Sequence, residues 1–268
     1  MNAETDPHSA LPSPESEIDQ SKAPLLDHLI ELRRRLLWSL LALVIAFLGC
    51  FYFADQIFAF LVQPLLRAGQ GKLVYTQLFE AFFVQVKVAL FAATMVAFPV
   101  IAIQIWKFVA PGLYRHEKRA LLPFLFATPV LFFAGAAMAY YFVIPTALHF
   151  LLGFQGNVGG VEREALPAIG NYLSFIMQFV MAFGIAFLLP ILIMLLERAG
   201  VVQYEQLVSA RRYMIVVAFA IAAVATPPDP VSQLMLAIPL CLLYEVALIA
   251  IRCTRRKRGK EAAIPDAS

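Results

Sequence analysis

Glu31 is followed at once by Arg33, Arg34 and Arg35, and an apolar run begins at Leu36. Leu26, Leu29, Ile30 and Leu36 recur at helical spacing, so this stretch reads as an amphipathic helix entering a membrane span, with Glu31 at the water–lipid boundary. The plainer reading makes Glu31 a helix-surface partner of Arg34 or Arg35 at i+3 or i+4, worth about 0.2–0.5 kcal/mol. The sharper one makes it a binding carboxylate. A second acid stands in a similar basic field, in the stretch FVAPGLYRHEKR at residues 108–119. There Pro111 and Gly112 break the helix, exposing Leu113 and Tyr114, and Glu117 follows among Arg115, Lys118 and Arg119. Glu245 is a third candidate, about two-thirds along the last apolar run. An ionised carboxylate there costs about 2.5–3.5 kcal/mol on insertion scales, so it is either functional or a neutral carboxyl bonded to a neighbouring helix. Asp229 and Gln233 lie near the outer end of the same run, satisfied by interfacial water or presented to another helix. Lys87 lies close enough to a span end to snorkel.

Other chemistry is missing. Residues 116–120 lack the second His of a zinc-protease helix, and no two histidines have metal-ligand spacing. There is no GxxxxGK[ST] phosphate loop and no GxSxG elbow, so neither a cofactor nor an enzymatic activity is expected. Cys50, Cys241 and Cys253 have no redox or metal-ligand spacing, and no disulfide is expected.

These residues need spans to position them. With 61% hydrophobic and 15% charged residues and a mean hydropathy of +0.77, the composition is that of an integral membrane protein. The net charge of only +3 makes nucleic acid a poor partner. Six apolar segments qualify or nearly do as helical spans of ~20 residues: 36–53, 82–106, 121–152, 172–196, 213–225 and 231–251. None alternates with a period of two, which excludes a barrel. The third is longer than a bilayer needs and, with Pro145 near its end, is expected to bend or project. The fifth is short, about 20 Å, and the TPPDP sequence at 226–230 reads as a tight hairpin tip. Of the 21 basic residues, 17 fall on one side: Lys22, Arg33, Arg34, Arg35, Lys107, Arg115, Lys118, Arg119, Arg198, Arg211, Arg212 and six from Arg252 to Lys260. Only Arg67, Lys72 and Arg163 fall on the other. The positive-inside rule then puts both termini in the cytoplasm. The expected organisation is a disordered cytoplasmic tail at 1–24, a six-helix transmembrane domain at 25–252 and a basic cytoplasmic tail at 253–268, all-α throughout. No internal repeat is evident, which weakens an inverted-repeat carrier.

The motifs HLIELRRR at 28–35, FVAPGLYRHEKR at 108–119 and TPPDPVSQ at 226–233, in this order across six spans, resemble those of the TatC family, the multispanning receptor subunit of the bacterial twin-arginine translocase. The resemblance runs from about residue 25 to 252. It implies a concave, glove-like helical fold in the cytoplasmic (inner) membrane. It also implies a multimeric complex with single-span TatA- and TatB-type proteins, and export of folded proteins driven by the proton-motive force. By motif, Glu31 and Glu117 match the acids that hold the arginine pair of a signal peptide, and Arg33, Phe108 and Leu113 match the same surface. Pro64 matches a family proline of the first outer loop, while Asp229 and Gln233 match polar positions where partner spans assemble. The family often has Glu or Gln where this chain has Leu188. Two charge-assisted contacts supply roughly 3–6 kcal/mol, short of the ~8 kcal/mol of a micromolar complex, so the apolar part of the peptide and the partners must add the rest. The neighbouring arginines would repel misplaced cations and could anchor the face to membrane lipid. Two alternatives remain at this stage: a proton-coupled secondary transporter of a small solute using Glu245, and a structural membrane scaffold.

Overall fold

The computed structural model describes residues 14–113, 122–163, 165–226 and 229–261. Among the described residues, ten helices order the chain: α1 Pro14–Tyr52, α2 Ala54–Arg67, α3 Glu80–Leu113, α4 Leu122–Met138, α5 Ile144–Leu152, α6 Ile169–Ala186, α7 Leu189–Arg198, α8 Tyr204–Ser209, α9 Arg211–Ala225 and α10 Pro230–Glu261. A π-helical turn, Ala139–Val143, joins α4 to α5. The antiparallel hairpin of β1 Gly156–Val158 and β2 Val161–Arg163 closes the loop before α6.

Among the described residues, five stretches are long and apolar enough to cross a membrane: His28–Tyr52, Glu80–Phe108, Pro123–Leu152, Ile169–Arg198 and Pro230–Arg255. The sixth expected span is α9, whose 15 residues rise only ~22 Å and fall short of a ~30 Å hydrocarbon core. The third is broken as anticipated: α4 relaxes through the π-turn, and Pro145 opens α5 in its first turn. The fourth is broken too, which hydropathy did not reveal. Pro190 has no N–H to donate to the Ala186 carbonyl, so α6 ends at Ala186, Phe187 and Leu188 form a turn, and α7 restarts with Leu188 as its N-cap and the proline in its first turn.

Two expectations, for the N-terminal tail and for Pro64, are corrected. The tail expected to be disordered over 1–24 is helical from Pro14, where a proline at the first position and Glu15 and Glu17 in the first turn favour a helix start. The C-terminal tail is likewise helical as far as Glu261. Pro64 lies inside helix α2 and is buried, not in an outer loop; Leu61, Val62 and Leu65 of α2 turn inward beside it.

The core gathers α2, α3, α5, α6, α9 and α10 around the fully buried Phe179, Phe183, Ile176 and Leu240. The α4–α6 crossing is close because both helices put glycine there. A Cβ on Gly135 would lie 2.5 Å from the Phe183 carbonyl oxygen, and one on Gly184 would lie 2.7 Å from the Phe132 ring. Buried tyrosine hydroxyls donate to main-chain carbonyls, Tyr172 to Leu61 at 3.0 Å and Tyr244 to Leu207 at 2.6 Å, which removes the penalty of burying an O–H. At the end away from the basic loops, Glu80 accepts from the N–H groups of Thr76 (2.6 Å), Gln77 (3.2 Å) and Gly170 (2.8 Å), tying the loop before α3 to the start of α6. By contrast, α1 buries none of its spanning residues and packs mainly on α3.

Candidate recognition pocket and partner edge

Two places carry the polar side chains. The first is a pocket of about 570 Å³ between the basic ends of α1 and α3, lined by Ile30, Glu31, Arg34, Arg35 and Trp38 from α1 and by Gln104 and Lys107 from α3. Glu31 and Arg35 are one helical turn apart, and Glu31 Oε1 accepts from both Arg35 Nε (3.1 Å) and Arg35 Nη2. Arg35 Nη1 also donates to Gln104 Oε1 at 3.4 Å, which ties the pair to α3. The choice between Arg34 and Arg35 as the helix partner of Glu31 therefore falls on Arg35, and both donors converge on a single oxygen. His28 stacks on Phe108 with ring centroids 4.3 Å apart and an interplanar angle of 21°, joining the two motifs across the α1–α3 contact. Arg33 is exposed on α1 and does not line the pocket. Leu113 ends α3, but its side chain lies outside the described residues, as does all of Glu117.

Sequence reasoning missed Gln104, Lys107 and Trp38. A signal was present, since Gln104, Lys107 and Phe108 stand at i, i+3 and i+4 on one face of α3.

The second place is the end opposite, where α10 begins. Asp229 is the N-cap of α10: its Oδ2 accepts from Ser232 N at 2.7 Å and its carbonyl from Gln233 N at 3.2 Å, with Pro230 at the first helical position. Gln233 reaches across to α9, donating from Nε2 to the Phe219 carbonyl at 3.3 Å. Asp229 Oδ1 and Ser232 Oγ are buried and have no hydrogen-bond partner among the described residues. This edge is thus polar beyond what its own helices satisfy.

Glu245 belongs to neither place. It pairs with Arg211 at 3.0 Å, both side chains being about half exposed. Fifteen residues separate Glu245 from the start of α10, a rise of ~22 Å that equals the length of α9, so the carboxylate lies level with the basic start of α9. The acid that stands two-thirds along its own apolar run thus meets an arginine because its neighbour is short. Nearby, Glu205 on α8 is held below the usual carboxylate range by its own backbone N–H and by Arg255, 3.0 Å away. Among the described residues, no group of three or more His, Cys, Asp or Glu side chains could hold a metal ion.

The fold and these two places define a multispanning, all-helical membrane protein with an ionic pocket at one end and an under-satisfied polar helix tip at the other. The sequence model of the family described as Sec-independent protein translocase protein (TatC) matches residues 27–239. A Sec-independent protein translocase protein TatC from Magnetococcus marinus is 50% identical over 250 residues, covering 92% of this chain and 91% of that protein. The TatC of Escherichia coli K12 is 38% identical over 231 residues, 85% of this chain and 88% of its own length. A crystal structure of a twin-arginine translocase receptor, TatC, superposes with a TM-score of 0.74 at 42% identity, covering 84% of this chain and 98% of that one. The chain belongs to the TatC family of Sec-independent protein translocases. It is a membrane-embedded translocase component, which implies assembly with other subunits, and the small-solute transporter reading is not favoured.

Proposed function

We propose that this chain is the signal-peptide receptor and core subunit of a twin-arginine translocase in the bacterial cytoplasmic membrane, with both termini cytoplasmic. Glu31 and Glu117 hold the two arginines of the signal peptide, and Arg33, Phe108 and Leu113 belong to the same surface. TatA- and TatB-type single-span proteins dock at the α9–α10 edge carrying Asp229 and Gln233, and folded cargo crosses at the expense of the proton-motive force. The observation that carries the reading is the Glu31 carboxylate: it accepts two guanidinium N–H bonds from Arg35 on one oxygen, and among the described residues its Oε2 accepts none, so a second guanidinium has an acceptor there. A lysine ammonium in the ligand cannot reproduce the two-bond contact.

The test is a double-mutant cycle on peptide affinity in detergent at fixed salt. Glu31→Ala and Glu117→Ala are each expected to cost on the order of 1.5–3 kcal/mol, tenfold or more, for an arginine-pair peptide, to be coupled, and to matter less for a lysine-pair peptide. Equal losses for the two peptides would defeat the assignment, leaving Glu31 as the helix-surface partner of Arg35.

A further inference from the structure

We infer that the pocket between α1 and α3 is also a binding site for the phosphate of an anionic membrane lipid. It holds one carboxylate and three cations, so it carries two positive charges in excess. Arg35 is engaged by Glu31 and Gln104. Arg34 and Lys107, one from each helix, have no ion pair or hydrogen-bond partner among the described residues, and both line the same cavity. A pair of uncompensated cations facing a 570 Å³ space is electrostatically built for an anion, and the indole N–H of Trp38 adds a neutral donor in the wall.

The anion is a lipid headgroup rather than a free phosphate because of what continues from the pocket. Along α1, Arg34, Trp38, Leu41, Ile45 and Leu48 follow one another at spacings of four and three, on one stripe. The four apolar members are 54%, 47%, 62% and 66% exposed, so the stripe is open to acyl chains. On α3, Val100 and Val96 follow Gln104 at the same spacing and are exposed as well. Each helix therefore presents a cation at the head of an uncovered apolar stripe, with tryptophan at the level where headgroups meet acyl chains. This inference stands whether or not Glu31 binds a peptide. Should both hold, one phosphodiester would cancel one of the two excess charges that a dicationic ligand of Glu31 has to approach.

The protein contains two tryptophans, so a Trp106→Phe background leaves Trp38 as a reporter inside the pocket. The full chain would be placed in nanodiscs of phosphatidylcholine containing equal fractions of brominated-chain phosphatidylglycerol or brominated-chain phosphatidylcholine. Phosphatidylglycerol should quench Trp38 with an apparent association on the order of tenfold stronger, given two cations acting near the surface. Arg34→Gln with Lys107→Gln should bring the two lipids to parity, whereas Arg212→Gln, exposed at the start of α9 and outside the pocket, should leave the preference intact. Equal quenching in the parent, or a preference that survives the double substitution, overturns the inference. Inorganic phosphate that abolishes the preference at matched ionic strength, where chloride does not, would assign the pocket to a free anion and overturn the lipid assignment. Should Trp106→Phe disturb folding through loss of its bond to Thr128, native mass spectrometry of the otherwise unaltered chain makes the same comparison. One retained phosphatidylglycerol must then be lost on the double substitution, and retention without change refutes the site.

Discussion

Asp229 shows how one side chain can serve two purposes that a single substitution would confuse. As N-cap of α10, its carboxylate satisfies the Ser232 N–H, a role asparagine fills about as well as aspartate. Asp229→Asn should therefore leave the thermal unfolding midpoint in detergent nearly unchanged, while Asp229→Ala should cost about 1 kcal/mol. Partner crosslinking lost in Asp229→Asn at unchanged stability would show that the charge, not the cap, is what a docking helix meets. Crosslinking that falls only with stability would return the residue to capping alone. Glu31 has the same double character, since Arg35 occupies one of its oxygens whether or not a ligand takes the other.

At the scale of elements, the α4–α6 crossing and the interrupted spans set the geometry. Gly135→Ala places a methyl group against main chain, the Phe183 carbonyl, which cannot swing aside, so the helices must separate. It should destabilise the protein by about 1–3 kcal/mol, as overpacking of a close contact does. Gly184→Ala meets the ring of the fully buried Phe132 and should also destabilise. Gly71→Ala is the control, with nothing within 4 Å of the new Cβ, and should be close to neutral. Unfolding midpoints in one detergent decide the order, and a neutral Gly135→Ala would refute the close crossing. The break between α6 and α7 follows from Pro190, and Leu188 is the N-cap residue of the second piece, with no side-chain cap bond.

For the whole molecule, the claim most open to test is orientation. With Cys50, Cys241 and Cys253 removed, Gln155→Cys in the loop before the hairpin and Val201→Cys between α7 and α8 put exposed thiols on opposite sides of the proposed membrane. An impermeant maleimide added to intact cells should label Gln155→Cys and spare Val201→Cys until the membrane is opened. Labelling of both from outside would overturn the arrangement with cytoplasmic termini. The short α9 belongs to this scale as well: its length brings Arg211, at its start, level with Glu245 of α10, and the two pair at 3.0 Å.

The spans, the helical class, the shortness of 213–225 and the three family motifs were all legible in the sequence, because they depend on local composition and spacing, which a chain carries without folding. The N-cap role of Asp229 could also have been read there, since Asp followed by Pro at a helix start is a local signal. What the sequence did not disclose depends on which helix lies beside which. Helix α2 holds Pro64 because its apolar face finds α3, α5 and α6 to pack on. The engagement of Arg35 by Gln104 joins residues 69 apart, and the pocket they share exists only because α1 rests on α3. Hydropathy counted Glu245 from the ends of its own span, whereas its partner, Arg211, is set by the length of the helix packed against it, and only tertiary structure supplies that reference.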